Sequence, residues 1–162
     1  MTMNKVSVFI ISALISLTIM AQQKPYNEDI DAVSQINKAV SQAKNENKYV
    51  LIQVGGNWCP WCLKFIEFAQ ADSLISSIID NSYIYIHVNW SKNNKNEKAM
   101  TLLENPARFG FPVFVILDEN GKRIHTQNSA YLEEDKGYSK RKVADFLYLW
   151  TPNAVKTIIS NA

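Results

Sequence analysis

The chain has 162 residues, a formal net charge of +2, 47% hydrophobic residues and two cysteines. The near balance of charge, without a basic cluster interleaved with aromatic residues, argues against a nucleic-acid-binding surface. Two cysteines are also too few for the disulfide scaffolds that hold short exported proteins together.

The N-terminal segment has the layout of a secretory signal peptide. A single lysine precedes an apolar run at residues 6–20, and Ala21 then offers a small residue before a polar stretch. The run is shorter than the roughly 20 residues of a membrane span. We therefore predict a signal peptide at residues 1–21 and one domain at residues 22–162, in the periplasm or secreted. An uncleaved N-terminal anchor is the alternative, because Ile19 stands where a small residue is usual.

The first elements of the domain follow from hydrophobic spacing. Apolar residues at three- and four-residue steps predict a helix over residues 30–43, capped by Asn27 or Asp29. The apolar run "YVLIQVGG" predicts a strand buried on both faces. Helical spacing resumes at residues 59–70.

The rest of the chain alternates in the same way. In order, the pattern predicts a helical piece at residues 71–81, a strand at 82–90, a short helix at 97–104, a hairpin of strands at 113–117 and from Lys122, and helices at 139–150 and from Thr151. Strands separated by helices imply parallel neighbours, and the hairpin adds an antiparallel edge. The sequence thus predicts an α/β fold with a central mixed β-sheet flanked by helices.

The two cysteines, Cys59 and Cys62, lie at the start of a predicted helix. A bridge across two intervening residues closes a very short loop, which constrains the unfolded chain least. Redox chemistry therefore explains the pair better than a structural staple does. A zinc site that adds His87 and His125 fits no finger-type spacing, and solvated or strand-packed histidines are the simpler interpretation.

The motif "NWCPWC" after a buried strand, with "GFP" and a hairpin about fifty residues later, resembles the thioredoxin-like superfamily. The resemblance covers residues 28–160 and is nearest to exported bacterial proteins of disulfide exchange. It implies a thioredoxin fold and a monomeric thiol–disulfide oxidoreductase without cofactor or metal. Its partners would be protein or peptide disulfides and an electron donor in the membrane.

Within this resemblance, Cys59 would be the nucleophile and Cys62 the resolving cysteine. Unpaired N–H groups and the dipole at a helix N-terminus favour an anion, so the pKa of the Cys59 thiol should fall to about 3.5–7. Cys62 would be more buried and would attack the mixed disulfide to release the substrate.

Four further residues are predicted to contact substrate. Pro112 matches the family's cis-proline and would place the backbone of Phe111 beside the sulfurs, although an ordinary strand-opening proline is the alternative. Trp58 and Trp61 flank the nucleophile and would form an aromatic contact surface.

The sequence departs from the thioredoxin pattern at Gln53, where many thioredoxins carry a buried acid. Glu67 and Lys64 on the following helix are candidates to replace that acid, and solvated surface charges are the alternative for both. The dipeptide between the cysteines also differs from that of ordinary thioredoxins, so the direction of electron flow stays open.

Two other functions remain in view. One is an oxidase or isomerase of the same fold, although oxidases of this kind usually insert a helical domain and isomerases often add a dimerisation domain. The other is a non-catalytic binding module with the same fold, against which the intact cysteine pair argues.

Overall fold

A computed structural model describes residues 24–160 of the chain. A four-stranded sheet lies between helices on its two faces, which confirms the predicted central mixed sheet. The predicted signal peptide, at residues 1–21, lies outside the described residues. Within the described part, none of the helices is both long and apolar enough to span a membrane.

The main elements follow the predicted order. The helices are α1 (Ala32–Glu46), α2 (Pro60–Ala71), α3 (Ser73–Ser82), α4 (Glu97–Leu102), α5 (Lys140–Leu149) and α6 (Pro152–Ser160). The strands are β1 (Tyr49–Gly55), β2 (Tyr83–Asn89), β3 (Val113–Leu117), β4 (Arg123–Asn128), β5 (Glu133–Glu134) and β6 (Gly137–Tyr138). Short 3₁₀ turns at Pro106–Phe109 and Ser129–Leu132 and the β5–β6 pair were not predicted, because segments this short carry no periodicity.

The strand order is β2-β1-β3-β4. β1 and β2 are parallel, as predicted, but β3 runs antiparallel to both β1 and β4. The expectation that strands separated by a helix are parallel is therefore wrong for β3. α4 has only six residues, too short to carry the chain back along the sheet, so β3 starts at the edge where β2 ends.

β1 is buried along its whole length and connects two apolar layers. Val50, Ile52 and Val54 pack with residues of α1 and α4 on one face. Tyr49 and Leu51 pack with residues of α2, α3 and α5 on the other. Full burial of each such aliphatic side chain stabilises the fold by about 1.5–3 kcal/mol. β1 therefore holds the segment that follows it rigidly in place.

α1 starts later than predicted. The carboxylate of Asp31, rather than a side chain of Asn27 or Asp29, accepts the N–H of Ser34 and caps the helix. Ile30 precedes this cap and is exposed, so it is not part of the buried face. The acidic cluster before the helix offered several caps of similar preference, and spacing alone did not choose between them.

Candidate dithiol active site

Cys59 and Cys62 lie at the junction of β1 and α2 and are joined by a disulfide, with their Cα atoms 5.2 Å apart. Cys59 is the N-cap of α2, and Pro60 occupies the first turn, where its missing N–H costs little. Both cysteines are buried, Cys62 completely and Cys59 to 3% exposure.

The N-terminus of α2 directs backbone donors at Cys59. The N–H of Cys62 is shared between the Cys59 Sγ, at a nitrogen–sulfur distance of 3.2 Å, and the Cys59 carbonyl at 3.1 Å. The N–H of Leu63 donates to the Cys59 carbonyl at 3.2 Å. A sulfur in this position lies in the positive field of a twelve-residue helix, which stabilises negative charge on it once the disulfide is reduced.

The Phe111–Pro112 peptide bond is cis. Pro112 is buried and leads directly into β3. The Phe111 ring belongs to the apolar surroundings of the cysteines. It meets Trp58 edge-on with ring centroids 5.5 Å apart, and it packs against Trp90 at 4.8 Å. The three rings form a continuous aromatic surface, here called the tryptophan surface.

Trp58 is the exposed member of the tryptophan surface, with 51% of its area accessible. Its Nε1 donates to the backbone carbonyl of Trp90 at 2.8 Å. The indole crosses Gly56 so closely that a Cβ at Gly56 would overlap Trp58 Nε1. A glycine is therefore required at this position for the indole to take its place.

Trp61, between the cysteines, is half-buried. Tyr138 of β6 meets its ring edge-on at 5.5 Å, and the Tyr138 hydroxyl donates to the Trp61 carbonyl at 3.1 Å. Lys64 lies outside this pair, with Nζ 4.5 Å from the centre of the Trp61 ring and 2.6 Å from the Lys136 carbonyl oxygen. The β5–β6 pair thus supports the first turn of α2.

Neither charged candidate replaces the missing acid. Lys64 and Glu67 are both exposed, which confirms the surface alternative for each. Among the described residues, the buried polar side chains include no Asp or Glu. The acid of the thioredoxin pattern therefore has no carboxylate substitute in the described core.

Four polar residues on the α2 side of the sheet surround the position where the thioredoxin pattern has a buried acid: Tyr26, Gln53, Tyr85 and His87, here called the polar layer. Gln53 is fully buried and donates from Nε2 to the Cys62 carbonyl at 2.9 Å. The Tyr85 hydroxyl donates to Gln53 Oε1. Burial raises the pKa of Tyr85 well above its ordinary value, so this donor keeps its proton.

His87 lies among the rings of the polar layer, with centroid distances of 4.6 Å to Tyr85 and 5.4 Å to Tyr26. Burial lowers the pKa of His87 to about 4, so the imidazole is neutral at neutral pH. His125 lies elsewhere, stacked on Trp150 at 4.2 Å. Within residues 24–160, no three side chains of metal-ligating type come together.

Four residues were not placed at the site from the sequence, although His87 was considered as a zinc ligand or a strand-packed histidine, and three of the four left a signal. Tyr85 and His87 alternate with apolar neighbours in β2, and the register pairs Gln53 with His87. Trp90 follows β2 directly and so comes to the edge of the sheet where β1 also ends. Tyr26 lies in an irregular segment before α1, and no periodicity pointed to it.

The fold and the site together define a class. A dithiol at the N-terminus of the helix that follows a buried central strand, beside a cis-proline, is the arrangement of thioredoxin-fold thiol–disulfide oxidoreductases. The sequence profile of the family described as thioredoxin-like domain matches residues 36–136. The chain belongs to this family, and it is a thiol–disulfide oxidoreductase of thioredoxin fold.

Solved structures share the fold. The crystal structure of a disulphide isomerase from Xylella fastidiosa Temecula1 has 23% identity and a TM-score of 0.68, over 79% of this chain and 97% of that one. A structure described as DsbH oxidoreductase has 20% identity and a TM-score of 0.52, over 74% and 81%. The oxidised DsbD C-terminal domain of Neisseria meningitidis has 15% identity and a TM-score of 0.50, over 72% and 93%. No protein of curated function matches the sequence.

Proposed function

We propose that the protein reduces or exchanges disulfides of proteins or peptides outside the cytoplasm, with Cys59 as the nucleophile and Cys62 as the resolving cysteine. The observation that carries the proposal is the Cys59–Cys62 disulfide at the N-terminus of α2. The N–H of Cys62, 3.2 Å from the Cys59 sulfur, supports Cys59 as the more acidic thiol, since a hydrogen bond to a charged form favours it.

In the reductive direction, the Cys59 thiolate attacks one sulfur of a substrate disulfide. The substrate S–S bond breaks, its other sulfur leaves as a thiolate, and a mixed disulfide forms at Cys59. The Cys62 thiolate then attacks the Cys59 Sγ and expels the second substrate thiolate. The products are a substrate dithiol and the Cys59–Cys62 disulfide, so two electrons pass to the substrate in each cycle.

The substrate chain would lie across Phe111, Pro112, Trp58 and Trp61. The exposed face of Trp58 and the half-buried Trp61 flank the N-terminus of α2. The backbone of Phe111, at the cis bond to Pro112, supports pairing with an extended substrate segment, because it precedes β3 and lies beyond its ladder.

The location and the partners belong to the same proposal. The apolar run at residues 6–20 supports a signal peptide at residues 1–21 and a mature domain at residues 22–162.

The structures described as DsbH and DsbD share the fold, and they support a protein partner in disulfide exchange. To complete a cycle, a reducing dithiol, for example on a membrane-bound donor, must reduce the Cys59–Cys62 bond. We infer a monomer.

An isomerase of the same fold is the second candidate. The structure from Xylella fastidiosa is described as a disulphide isomerase, and this chain covers 97% of it. Because that isomerase is covered almost completely, the expectation that isomerases add a dimerisation domain counts less against isomerase activity than the sequence alone implied. The reduction potential separates the directions: about −270 mV fits a reductase, and about −120 mV fits an oxidant.

Reduction of insulin disulfides tests the proposal. The mature protein with dithiothreitol as electron source should accelerate insulin precipitation, and a Cys59→Ser variant should not exceed dithiothreitol alone. Equal rates for the two proteins would favour a binding module. Refolding of scrambled ribonuclease in the same series measures isomerase activity separately.

A further inference from the structure

The resolving cysteine has a buried tyrosine beside it. Tyr26 is 1% exposed. The Gln53 side chain acts on its oxygen as a hydrogen-bond donor, but the Tyr26 O–H itself meets no acceptor among the described residues. Its backbone is fixed by the Asn57 side chain, which accepts the Tyr26 N–H at 3.2 Å and donates to the Tyr26 carbonyl at 2.8 Å. A buried donor left unpaired costs about 1–3 kcal/mol, so a free O–H at this buried position needs a physical reason.

The Tyr26 hydroxyl and the Cys62 sulfur both face the position that a side chain at Gly55 would take. A Cβ on Gly55 would lie 2.5 Å from Cys62 Sγ and 2.9 Å from Tyr26 Oη. Tyr26 belongs to the same buried cluster as Cys59, Cys62 and Ile66. Because residue 55 has no side chain, the hydroxyl and the sulfur both border the same space beside Gly55, away from water.

The Gln53 side chain, which also reaches Cys62, already has a partner at each end. Gln53 uses Nε2 for the Cys62 carbonyl, and its Oε1 accepts from Tyr85. Burial raises the pKa of Tyr26 well above its ordinary value, and the nearby Gln53 side chain offsets part of that rise. Tyr26 therefore keeps its proton at neutral pH and is available as a donor.

We propose that Tyr26 is a positioning residue for Cys62: its hydroxyl donates a hydrogen bond to the Cys62 sulfur once the disulfide has opened. This inference rests on the proposed resolving role of Cys62. When a thiolate attacks Cys59 Sγ, a new S–S bond forms there, the Cys59–Cys62 bond breaks, and its electron pair stays on Cys62 Sγ. The Tyr26 O–H then donates to this thiolate without transferring its proton.

The hydrogen bond would serve both directions of exchange. It stabilises the Cys62 thiolate as a leaving group when the disulfide is reduced. It also raises the thiolate fraction of Cys62 when that sulfur must attack the mixed disulfide. A neutral hydroxyl donor thus assists the second cysteine in a core where no carboxylate does so among the described residues.

Titration of Cys62 in a Cys59→Ala background tests the inference, because that protein has a single thiol. Adding Tyr26→Phe keeps the ring and removes only the donor. The pKa of Cys62, followed by thiolate absorbance, should rise by about one unit. The matched control is Tyr83→Phe, which removes a buried hydroxyl that donates to the Leu147 carbonyl at 2.6 Å in another part of the core. It should leave the pKa of Cys62 unchanged.

A second readout keeps the native tyrosine and does not depend on the folding of the Tyr26→Phe variant. With isotope-labelled tyrosine in the Cys59→Ala protein, the ring carbon bonded to the Tyr26 hydroxyl should change its NMR shift as Cys62 titrates. An unchanged Cys62 pKa in Tyr26→Phe, or a flat Tyr26 signal, overturns the inference. Failure of wild-type insulin reduction is a different result and would instead reject the proposed function.

Discussion

Gln53 donates a hydrogen bond to the Cys62 carbonyl at 2.9 Å from a fully buried position. The first turn of α2 is therefore attached to β1 by a neutral amide, at the position where the thioredoxin pattern has an acid. An amide provides this attachment at every pH, whereas a carboxyl group can donate only when protonated.

Gln53→Glu should therefore make stability depend on pH. Burial raises the pKa of the new carboxyl group in the folded state above its unfolded value of about 4.3, so stability is lost as pH rises above that value. Relative to wild type, the free energy of unfolding should be lower by about 3 kcal/mol at high pH. Urea unfolding of the oxidised protein at pH about 4.5 and 8 measures this.

Gln53→Met is the matched control, because it removes the hydrogen bond and adds no charge. The free energy of unfolding of Gln53→Met should be lower than that of wild type by the same amount at both pH values. If the loss of unfolding free energy in Gln53→Glu were also independent of pH, the environment of residue 53 would not be apolar.

Gly55→Ala should destabilise the oxidised protein by about 1–3 kcal/mol. The new methyl group would lie 2.5 Å from Cys62 Sγ and 2.9 Å from Tyr26 Oη, and buried atoms would have to move. Gly137→Ala is the control, since its Cβ would meet nothing within 4 Å. Equal urea midpoints for the two variants would contradict the described packing behind the disulfide.

Trp90→Ala should impair reaction with protein substrates more than with small disulfides. Trp90 packs on Phe111 at 4.8 Å and accepts the Trp58 indole hydrogen bond at 2.8 Å, so its ring and backbone support the tryptophan surface. We expect kcat/KM for insulin to fall about tenfold and the rate with glutathione disulfide to change little.

Tyr148→Ala removes an exposed aromatic ring that lines a groove with Asn47, at the opposite end of β1 from the cysteines. As a control, this variant should leave kcat/KM for insulin and the rate with glutathione disulfide unchanged. Parallel losses for insulin and glutathione disulfide in Trp90→Ala would mean that Trp90 affects the dithiol itself and not substrate contact.

His87 should make the fold less stable in mild acid. Burial lowers its folded-state pKa to about 4, while unfolded histidine titrates near 6.5. Between these values the unfolded chain binds the proton, so stability falls by about 1.4 kcal/mol per unit as pH decreases. Asp72, whose pKa is lowered by hydrogen bonds from Lys140 and from backbone N–H groups, loses its contribution only below this window.

Urea unfolding between pH about 6.5 and 4 checks this prediction. His87→Phe should flatten the decline. His125→Phe should flatten it less, because the pKa of the half-buried His125 is also lowered by burial but to a smaller extent. Identical slopes in wild type and His87→Phe would show that His87 is protonated in the folded protein.

The sequence predicted the elements that carry a strong local pattern. β1 is an uninterrupted apolar run, and it is buried at every residue. The orientation of β3 was not predictable from the same signal, because it depends on whether the chain crosses the sheet after β2, and only the short length of α4 decides that. The β5–β6 pair has two residues a strand, below the length at which periodicity exists.

The residues of the site likewise differ in whether the sequence carried a local signal for them. Cys59, Cys62 and Pro112 were predicted from motif spacing and the family resemblance, and the structure brings them to the same end of the sheet. Of the polar layer, the sequence singled out Gln53, but not Tyr85 and His87, which join it through the register of β1 with β2. The position of Tyr26 depends on a side-chain clamp from Asn57, which has no sequence signature.

The acidity of Cys59 is the claim on which the account depends most directly. In a Cys62→Ser variant, Cys59 retains the helix N-terminus and the backbone N–H of residue 62. Titration of its thiolate absorbance should give a pKa below about 7.5. A pKa near the value of about 8.5 for free cysteine would contradict the account, because the oriented amides of α2 would then not stabilise the attacking sulfur.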